Sequence, residues 1–414
     1  MQKKLLAAAV AAAVAAPGVA LAQSSVTISG FMKVSVQQIR ISSAAAARTG
    51  NKSETRFVDD GPSRITFSMR EDLGGGLAAV GQIELRHSVD GNTSFDLTGV
   101  GSSAGNMFVG LQSSSWGLLR FGSVDRHYTL SADTLAGNAP TFTGSMHVGS
   151  TSSATVASTT IGGGTRTRNQ IGWDSPNWNG FTMNAGWSAR QVSGQEGDLT
   201  NVSVAGAQPF KRGNAWFAGV RYDASNWFAG LSYLDDRADP IGTANNVSQQ
   251  TAVNGLNQGA GTQARSKQWR AAARYNFGGG FGIGLTWDRV TIDTTTMAAA
   301  GNTTARTNNR VAWSVPLDYT TGPHSIGFMY SRANDDKSVA GDQKSTGWSL
   351  RYVYALSKRT TLGAGYAQVR NNAAAAYNIS GDNTTTANAY SSANASLTGG
   401  EDARVYGINV RHAF

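Results

Sequence analysis

From Val26 to Phe414 the chain returns again and again to one pattern, an apolar residue followed by a polar one, with period two. In residues 26–37, Val26, Ile28, Gly30, Met32, Val34 and Val36 share one face, and Thr27, Ser29, Phe31, Lys33, Ser35 and Gln37 the other. In residues 64–70, Ile65, Phe67 and Met69 alternate with Arg64, Thr66, Ser68 and Arg70. Successive side chains of a strand point to opposite sides, so each segment reads as a strand with one apolar face and one polar, often cationic, face. Sixteen such strands are expected, at roughly 25–38, 62–72, 76–89, 105–113, 117–124, 166–175, 180–191, 213–223, 227–236, 266–277, 281–292, 308–319, 323–334, 344–356, 360–371 and 402–414. Helical periodicity is almost absent after residue 22.

The connections alternate too. Seven are short and turn-like, such as Gly278-Gly279-Gly280 and Thr320-Thr321-Gly322. Eight are mostly longer and rich in Ser, Thr, Asn, Ala and Gly: 39–61, 90–104, 125–165, 192–212, 237–265, 293–307, 335–343 and 372–401. An even-stranded meander with one rim of tight turns and one of long loops is the plan of an outer-membrane barrel. Segments of about ten residues span the apolar band when tilted, and unpaired backbone groups in lipid are so costly that the sheet must close. Trp173, Tyr222, Tyr275, Trp313, Tyr319 and Phe414 fall near strand ends on the apolar face, as interfacial girdles require. The competing reading is a soluble sandwich or solenoid, in which those aromatics would be core. Pro316 sits inside the twelfth strand and removes a ladder donor, so a bulge is expected there.

Composition narrows the alternatives. There is no Cys, which excludes disulfide scaffolds and thiolate sites. No apolar run long enough for a membrane helix follows residue 22. Residues 1–22 carry Lys3 and Lys4, an Ala-rich apolar stretch and Ala20-Leu21-Ala22, the pattern of a cleaved secretory signal. That leaves 23–414 as one barrel, with 33 basic against 26 acidic residues, a balance of +7. The five His at 87, 127, 147, 324 and 412 show neither metal-ligand spacing nor a nucleophile elbow. The Gly triplets lie in hairpin turns rather than at strand-to-helix junctions, so they are not phosphate loops. The sequence therefore signals no enzyme, no cofactor and no metal, and its dispersed basic residues do not signal nucleic-acid binding.

Several stretches resemble the Gram-negative general porin family. They are Pro62-Ser63-Arg64-Ile65 with Glu71-Asp72-Leu73-Gly74-Gly75-Gly76-Leu77, the run 166–176 (RTRNQIGWDSP) with Gly180-Phe181, the turn 354–360 (YALSKRT), and the ending Arg411-His412-Ala413-Phe414. The resemblance runs along nearly the whole mature chain. It implies a sixteen-stranded antiparallel transmembrane β-barrel, a homotrimer, periplasmic short turns, extracellular loops and a third loop (125–165) folded into the lumen. It also implies contact with outer-membrane lipid and lipopolysaccharide, and recognition of the terminal Phe414 by the outer-membrane assembly machinery.

A barrel of this size holds water, so selectivity is left to an inward loop and to wall charges. By phase, Lys33, Arg64, Arg70, Arg86, Arg120, Arg166 and Arg168 point inward. The third-loop candidate has only Asp125, Arg126 and Asp133 as charged side chains. Confined like charges raise the local concentration of counter-ions, so small anionic or neutral solutes and a weak to moderate anion preference are expected. The resemblance places Arg64 and Arg166 among constriction arginines and matches Glu84 to an acid on the third strand. Gly105 and Ser123 stand where many relatives have Arg, which implies a wider or weaker eyelet. A substrate-specific channel and a structural or adhesive barrel remain as alternatives, the former disfavoured by few inward aromatics (Phe31, Phe217).

Overall fold

The computed structural model describes residues 24–42, 52–61, 63–87, 89, 104–125, 129–135, 137–144, 166–188, 214–238, 262–296, 303–338, 340–375, 377, 379 and 399–414. They form one closed antiparallel sheet. In chain order its strands are β1 (Ser25–Ser42), β2 (Lys52–Asp59), β3 (Arg64–Gly74), β4 (Leu77–Arg86), β5 (Ala104–Ser113), β6 (Gly117–Asp125), β7 (Arg166–Asp174), β8 (Phe181–Ser188) and β9 (Asn214–Asp223). There follow β10 (Trp227–Ala238), β11 (Thr262–Gly278), β12 (Phe281–Thr296), β13 (Thr303–Thr321), β14 (His324–Ala333), β15 (Ser345–Ala355), β16 (Thr360–Asn371) and β17 (Asp402–Ala413). Each strand pairs with its sequence neighbours, except that β2 and β3 both lie against β1 rather than against each other, and β17 returns to β1.

Seventeen strands make sixteen staves. The upper half of β1 pairs with β2 (Val34 opposite Asp59, Ile41 opposite Lys52) and its lower half with β3 (Ser25 opposite Arg70, Phe31 opposite Arg64). β2 and β3 are thus one stave broken at residues 60–63. Asp60 donates its N–H to the Lys33 carbonyl at 3.0 Å, and Lys33 donates its own to Ser63 Oγ at 2.9 Å. The expected loop at 39–61 is corrected accordingly: its ends are strand. The 293–307 loop shrinks in the same way, because β12 and β13 continue through Thr-rich residues to Thr296 and from Thr303. These extensions rise above the lipid band, where a strand needs no apolar face.

The seam closes at the carboxyl end. Gly30 and Phe414 exchange backbone hydrogen bonds of 3.1 Å in both directions, and the Phe414 ring lies so close over Gly30 that a Cβ there would come within 2.8 Å of Cζ. The expected bulge at Pro316 does not occur. Pro316 keeps its partner Met329 on β14, while the ladder to β12 skips from Ile283–Leu317 to Thr286–Ser314 without a change of register. The missing donor is absorbed as a gap, and the register shift falls instead between Ile292 and Asp293. Three successive left-handed glycines at 74–76 and again at 278–280 make two of the tight turns, a geometry costly for any side chain.

The outer face carries two aromatic belts. Trp216 and Tyr222, Trp227 and Tyr233, Trp269 and Tyr275, Phe281 and Trp287, and Trp313 and Tyr319 are each six positions apart on one strand. Rings touch along both belts, for example Phe281–Tyr319 at 4.3 Å near the turns and Tyr233–Trp269 at 4.4 Å near the loops. The belts run from β7 to β17. The outward residues of β1 to β6 are Val, Ile, Leu, Met, Ala, Gly and Phe with some polar ends, and include no Trp or Tyr.

Candidate pore constriction

Residues 129–135 and 137–144, ending in a single helical turn (Thr141–Gly144), lie inside the barrel. Their contacts identify the wall that holds them. Ala132 donates its N–H to Thr286 Oγ1 (3.2 Å), and Asp133 takes both Arg351 guanidinium nitrogens (2.7 and 2.5 Å). Asn409 donates to the Asn138 carbonyl (3.1 Å), Lys33 Nζ to that of Ala139 (2.5 Å) and Ser349 Oγ to that of Thr143 (2.7 Å). These partners sit on β1, β12, β15 and β17, all on the face opposite the exposed apolar residues. Small wall residues let the segment lie close. A Cβ at Gly230, Gly284 or Gly327 would fall 2.8, 2.6 or 2.8 Å from Leu130, Ala132 or Leu135.

Above the segment the same wall is apolar on its inner side. Ile39, Ile41, Val290, Met329, Val369 and Val405 form a buried cluster with Phe142 of the inward segment and with Tyr377 and Ile379. Arg310 donates to the Tyr377 hydroxyl at 2.9 Å. The start of the loop after β16 therefore also turns inward, which the sequence reading did not anticipate.

Arginines on this wall serve as anchors. Arg270–Asp288 and Arg274–Asp318 are bidentate pairs with closest contacts of 2.7 Å, and the Arg351 and Asp133 side chains are fully buried. Lys33, read as a wall charge, is 2% exposed, between the Ala139 carbonyl and Asp60 at 3.4 Å. Asp133, read as a loop charge, is the other half of the Arg351 pair.

On the remaining arc, β3 to β9, several wall arginines are part-exposed. Arg64 (27% exposed) and Arg86 (18%) share Glu84, at 3.0 and 2.8 Å, and Asp125 stands 3.9 Å from Arg86. Glu84 lies directly over Gly105, so a side chain there would collide with its carboxylate. Arg120 pairs with Asp174, and Arg70 donates to the Gln112 amide at 2.5 Å. The backbone of Arg166 and Arg168 lies in β7, but their side chains fall outside the described residues, as do Arg126, His127, His147 and residues 1–23.

Inward basic residues were missed, among them Arg221, Arg270, Arg274, Arg310, Arg351 and Arg411. Arg411 is inward because its neighbours Val410 and His412 are outward, and it sits opposite Lys33. Its guanidinium lies 4.6 Å from the centre of the Phe31 ring, and that of Arg64 4.9 Å from the same ring. Arg–aromatic stacking recurs at Arg120 on Phe108 (5.0 Å) and Arg221 on Phe228 (3.9 Å). Inward aromatics are thus more numerous than Phe31 and Phe217. Phe31, Phe108 and Phe228 support guanidiniums, since cation–π contact holds an arginine in place without neutralising it, whereas Phe217 packs with Ala215 and Leu234. His324 and His412 are outward and bond Tyr352 (2.7 Å) and Thr360 (2.9 Å).

A closed sixteen-stave barrel with an inward segment and an arginine-lined open arc is the architecture of a channel. The profile of the Gram-negative porin family matches residues 7–374. The chain belongs to the Gram-negative porin family. An outer membrane porin protein of Bordetella pertussis is 28% identical over 382 residues, covering 87% of this chain and 92% of that one. The anion-selective porin from Comamonas acidovorans shares the fold with a TM-score of 0.64 at 21% identity, over 95% of this chain and 100% of that one. OmpT of Vibrio cholerae, in its trimer form, superposes with a TM-score of 0.56 at 13% identity, over 94% and 99%. The porin therefore resides in the outer membrane of a Gram-negative cell and forms a diffusion channel there.

Proposed function

We propose that this porin is a general pore for small hydrophilic solutes, narrowed by residues 129–144 and weakly to moderately selective for anions. The carrying observation is the charge of the open arc and of the adjoining end of β17. Arg64 and Arg86 both reach Glu84, and Asp125 stands 3.9 Å from Arg86, while Arg70 and Arg411 form no salt bridge among the described residues. Fixed positive charge in a narrow, low-dielectric passage concentrates anions and repels cations. Arg64, Arg70, Arg86 and Arg411, joined by Arg120, Arg166 and Arg168, are the selectivity residues on this reading, with Glu84, Asp125 and the Asp174 partner of Arg120 as its brakes. Lys33 and Asp133 hold the inward segment instead. The anion-selective porin of Comamonas acidovorans supports this reading by its fold.

The same reading takes residues 1–22 as a cleaved export signal and 23–414 as the mature barrel. It makes the protein a homotrimer joined through the Trp- and Tyr-free outer face of β1 to β6. Buried between subunits, that face would never meet the water–lipid interface where Trp and Tyr are favoured. Phe414 both closes the seam and presents a terminal aromatic to the assembly machinery. The test is the reversal potential of single channels in a planar bilayer under a salt gradient, with liposome swelling by neutral sugars of graded size. Anion preference with size-only sugar dependence supports the reading. Cation preference would overturn the charge argument, and saturable sugar uptake would favour a specific channel.

A further inference from the structure

Among the described residues four arginines of the inner wall are buried: Arg270, Arg274, Arg310 and Arg351. Three of them face a carboxylate, that of Asp288, Asp318 and Asp133 in turn. Arg310 does not. Among the described residues it forms no salt bridge, and its Nε has no hydrogen-bond partner. It donates to the Tyr377 hydroxyl at 2.9 Å, and its guanidinium lies 5.3 Å from the centre of the Tyr377 ring. Burying a charge without a counter-charge is costly; a hydroxyl and a ring face lower that cost without neutralising the charge. The positive charge of Arg310 is therefore retained, but it is shut away from the water of the lumen.

Tyr377 is placed there by the loop-side end of β16. Asn371 accepts the Tyr377 N–H at 3.1 Å and donates to the Tyr377 carbonyl at 2.8 Å. Asn372 donates its N–H to the Lys344 carbonyl at 3.0 Å and its side-chain amide to Asp342 at 2.7 Å. From that footing the fully buried Tyr377 joins the inner apolar cluster that includes Val290, Met329 and Val369. Arg310 is three residues from Trp313 on the loop side of β13, so the pair stands at the loop-side mouth.

We propose that Tyr377 and Arg310 are selectivity determinants at this mouth, the Tyr377 ring narrowing it and withholding the Arg310 charge from passing ions. The open arc displays its arginines to the lumen; here one is hidden. An ion in the passage responds to the charge that shares its water-filled space, so a masked guanidinium adds little to the field that concentrates anions. Tyr377 thus lowers anion preference without being acidic. This rests on the pore reading and adds to it a determinant outside the open arc.

The test uses the full-length porin in planar bilayers. Tyr377→Ala should raise single-channel conductance and raise the anion-to-cation permeability ratio by roughly twofold. Tyr377→Ala/Arg310→Gln should keep the raised conductance and return the ratio to the wild-type value. Arg310→Gln alone should change neither, because its charge is already hidden, and Tyr377→Phe, which keeps the ring, should change neither. The chain has no Cys, so thiol labelling gives an independent readout. Arg310→Cys should resist a charged, water-soluble thiol reagent and become reactive in Arg310→Cys/Tyr377→Ala, while Arg64→Cys should react with Tyr377 in place. Unchanged conductance in Tyr377→Ala, or a rise in conductance with no rise in the ratio, overturns the proposal. So does a lower ratio in Arg310→Gln alone, or equal labelling of Arg310→Cys with and without Tyr377. If Tyr377→Ala does not close into a barrel, the ratio in Arg310→Gln and the labelling of Arg310→Cys still decide the matter. Failure of the pore reading shows in the wild type itself, as cation preference or absent conductance, whereas every outcome here is a difference from wild type and the labelling needs no current.

Discussion

The two sides of this barrel use the same residue type for opposite ends. On the wall from β11 to β17, arginines are buried in matched pairs and fasten residues 129–144. On the arc from β3 to β9, arginines stand part-exposed, share carboxylates or lean on aromatic rings. The outer surface differs along a similar divide, with aromatic belts from β7 to β17 and none on β1 to β6. Position on the wall, not residue identity, decides whether a guanidinium is a rivet or a wall charge, and burial is what separates the two.

The contrast can be broken most forcefully at the rivets. Asp133→Ala leaves Arg351 buried without its partner, a penalty of about 3–5 kcal/mol. Thermal denaturation should drop and single-channel conductance should rise as the segment loosens; an unchanged conductance would mean that the segment does not narrow the pore. Phe142→Ala empties the apolar cluster above it at a cost of about 3–5 kcal/mol, read as a lower melting temperature with anion preference retained. On the outer surface, Val109→Arg on the belt-free side should convert trimers to monomers in unheated gels. Leu285→Arg on the belted side should cost about 2–4 kcal/mol of folding stability in lipid while leaving assembly intact. If both behave alike, the two outer surfaces are not different. Where the open arc meets the end of β17, Arg64→Gln/Arg411→Gln should lower the anion-to-cation permeability ratio severalfold, measured by reversal potential, with the melting temperature nearly unmoved. The smallest effect is expected at Arg306→Ala, whose exposed pair with Asp293 contributes less than about 1 kcal/mol.

Alternation made the barrel legible because lipid imposes it, and it fades wherever lipid is absent. Lys52 to Arg56 are polar on both faces, so β2 left no trace in the sequence, and the Thr-rich ends of β12 and β13 were hidden for the same reason. The phase of each lumen residue was readable, Arg411 included, but not its burial. Lys33 and Arg64 both point inward on neighbouring staves, and the contacts of Lys33 with the Ala139 carbonyl and Asp60 separate them. One clue was available. Ile39, Val290, Val369 and Val405 are apolar at inward phase, and an apolar side chain facing a wet lumen implies that something covers it.

The six-position interval between the aromatic belts also specifies a thickness. At about 3.4 Å per residue, and with strands tilted as in such barrels, the ring-bearing backbones are only some 15 Å apart in height. Bilayers differ by a few ångströms, and the bacterial outer membrane is thinner than average. A belt-to-belt distance this short would leave the barrel badly mismatched in a thicker host bilayer, so its aromatic spacing acts as a physical address, sorting the protein toward the membrane that it fits.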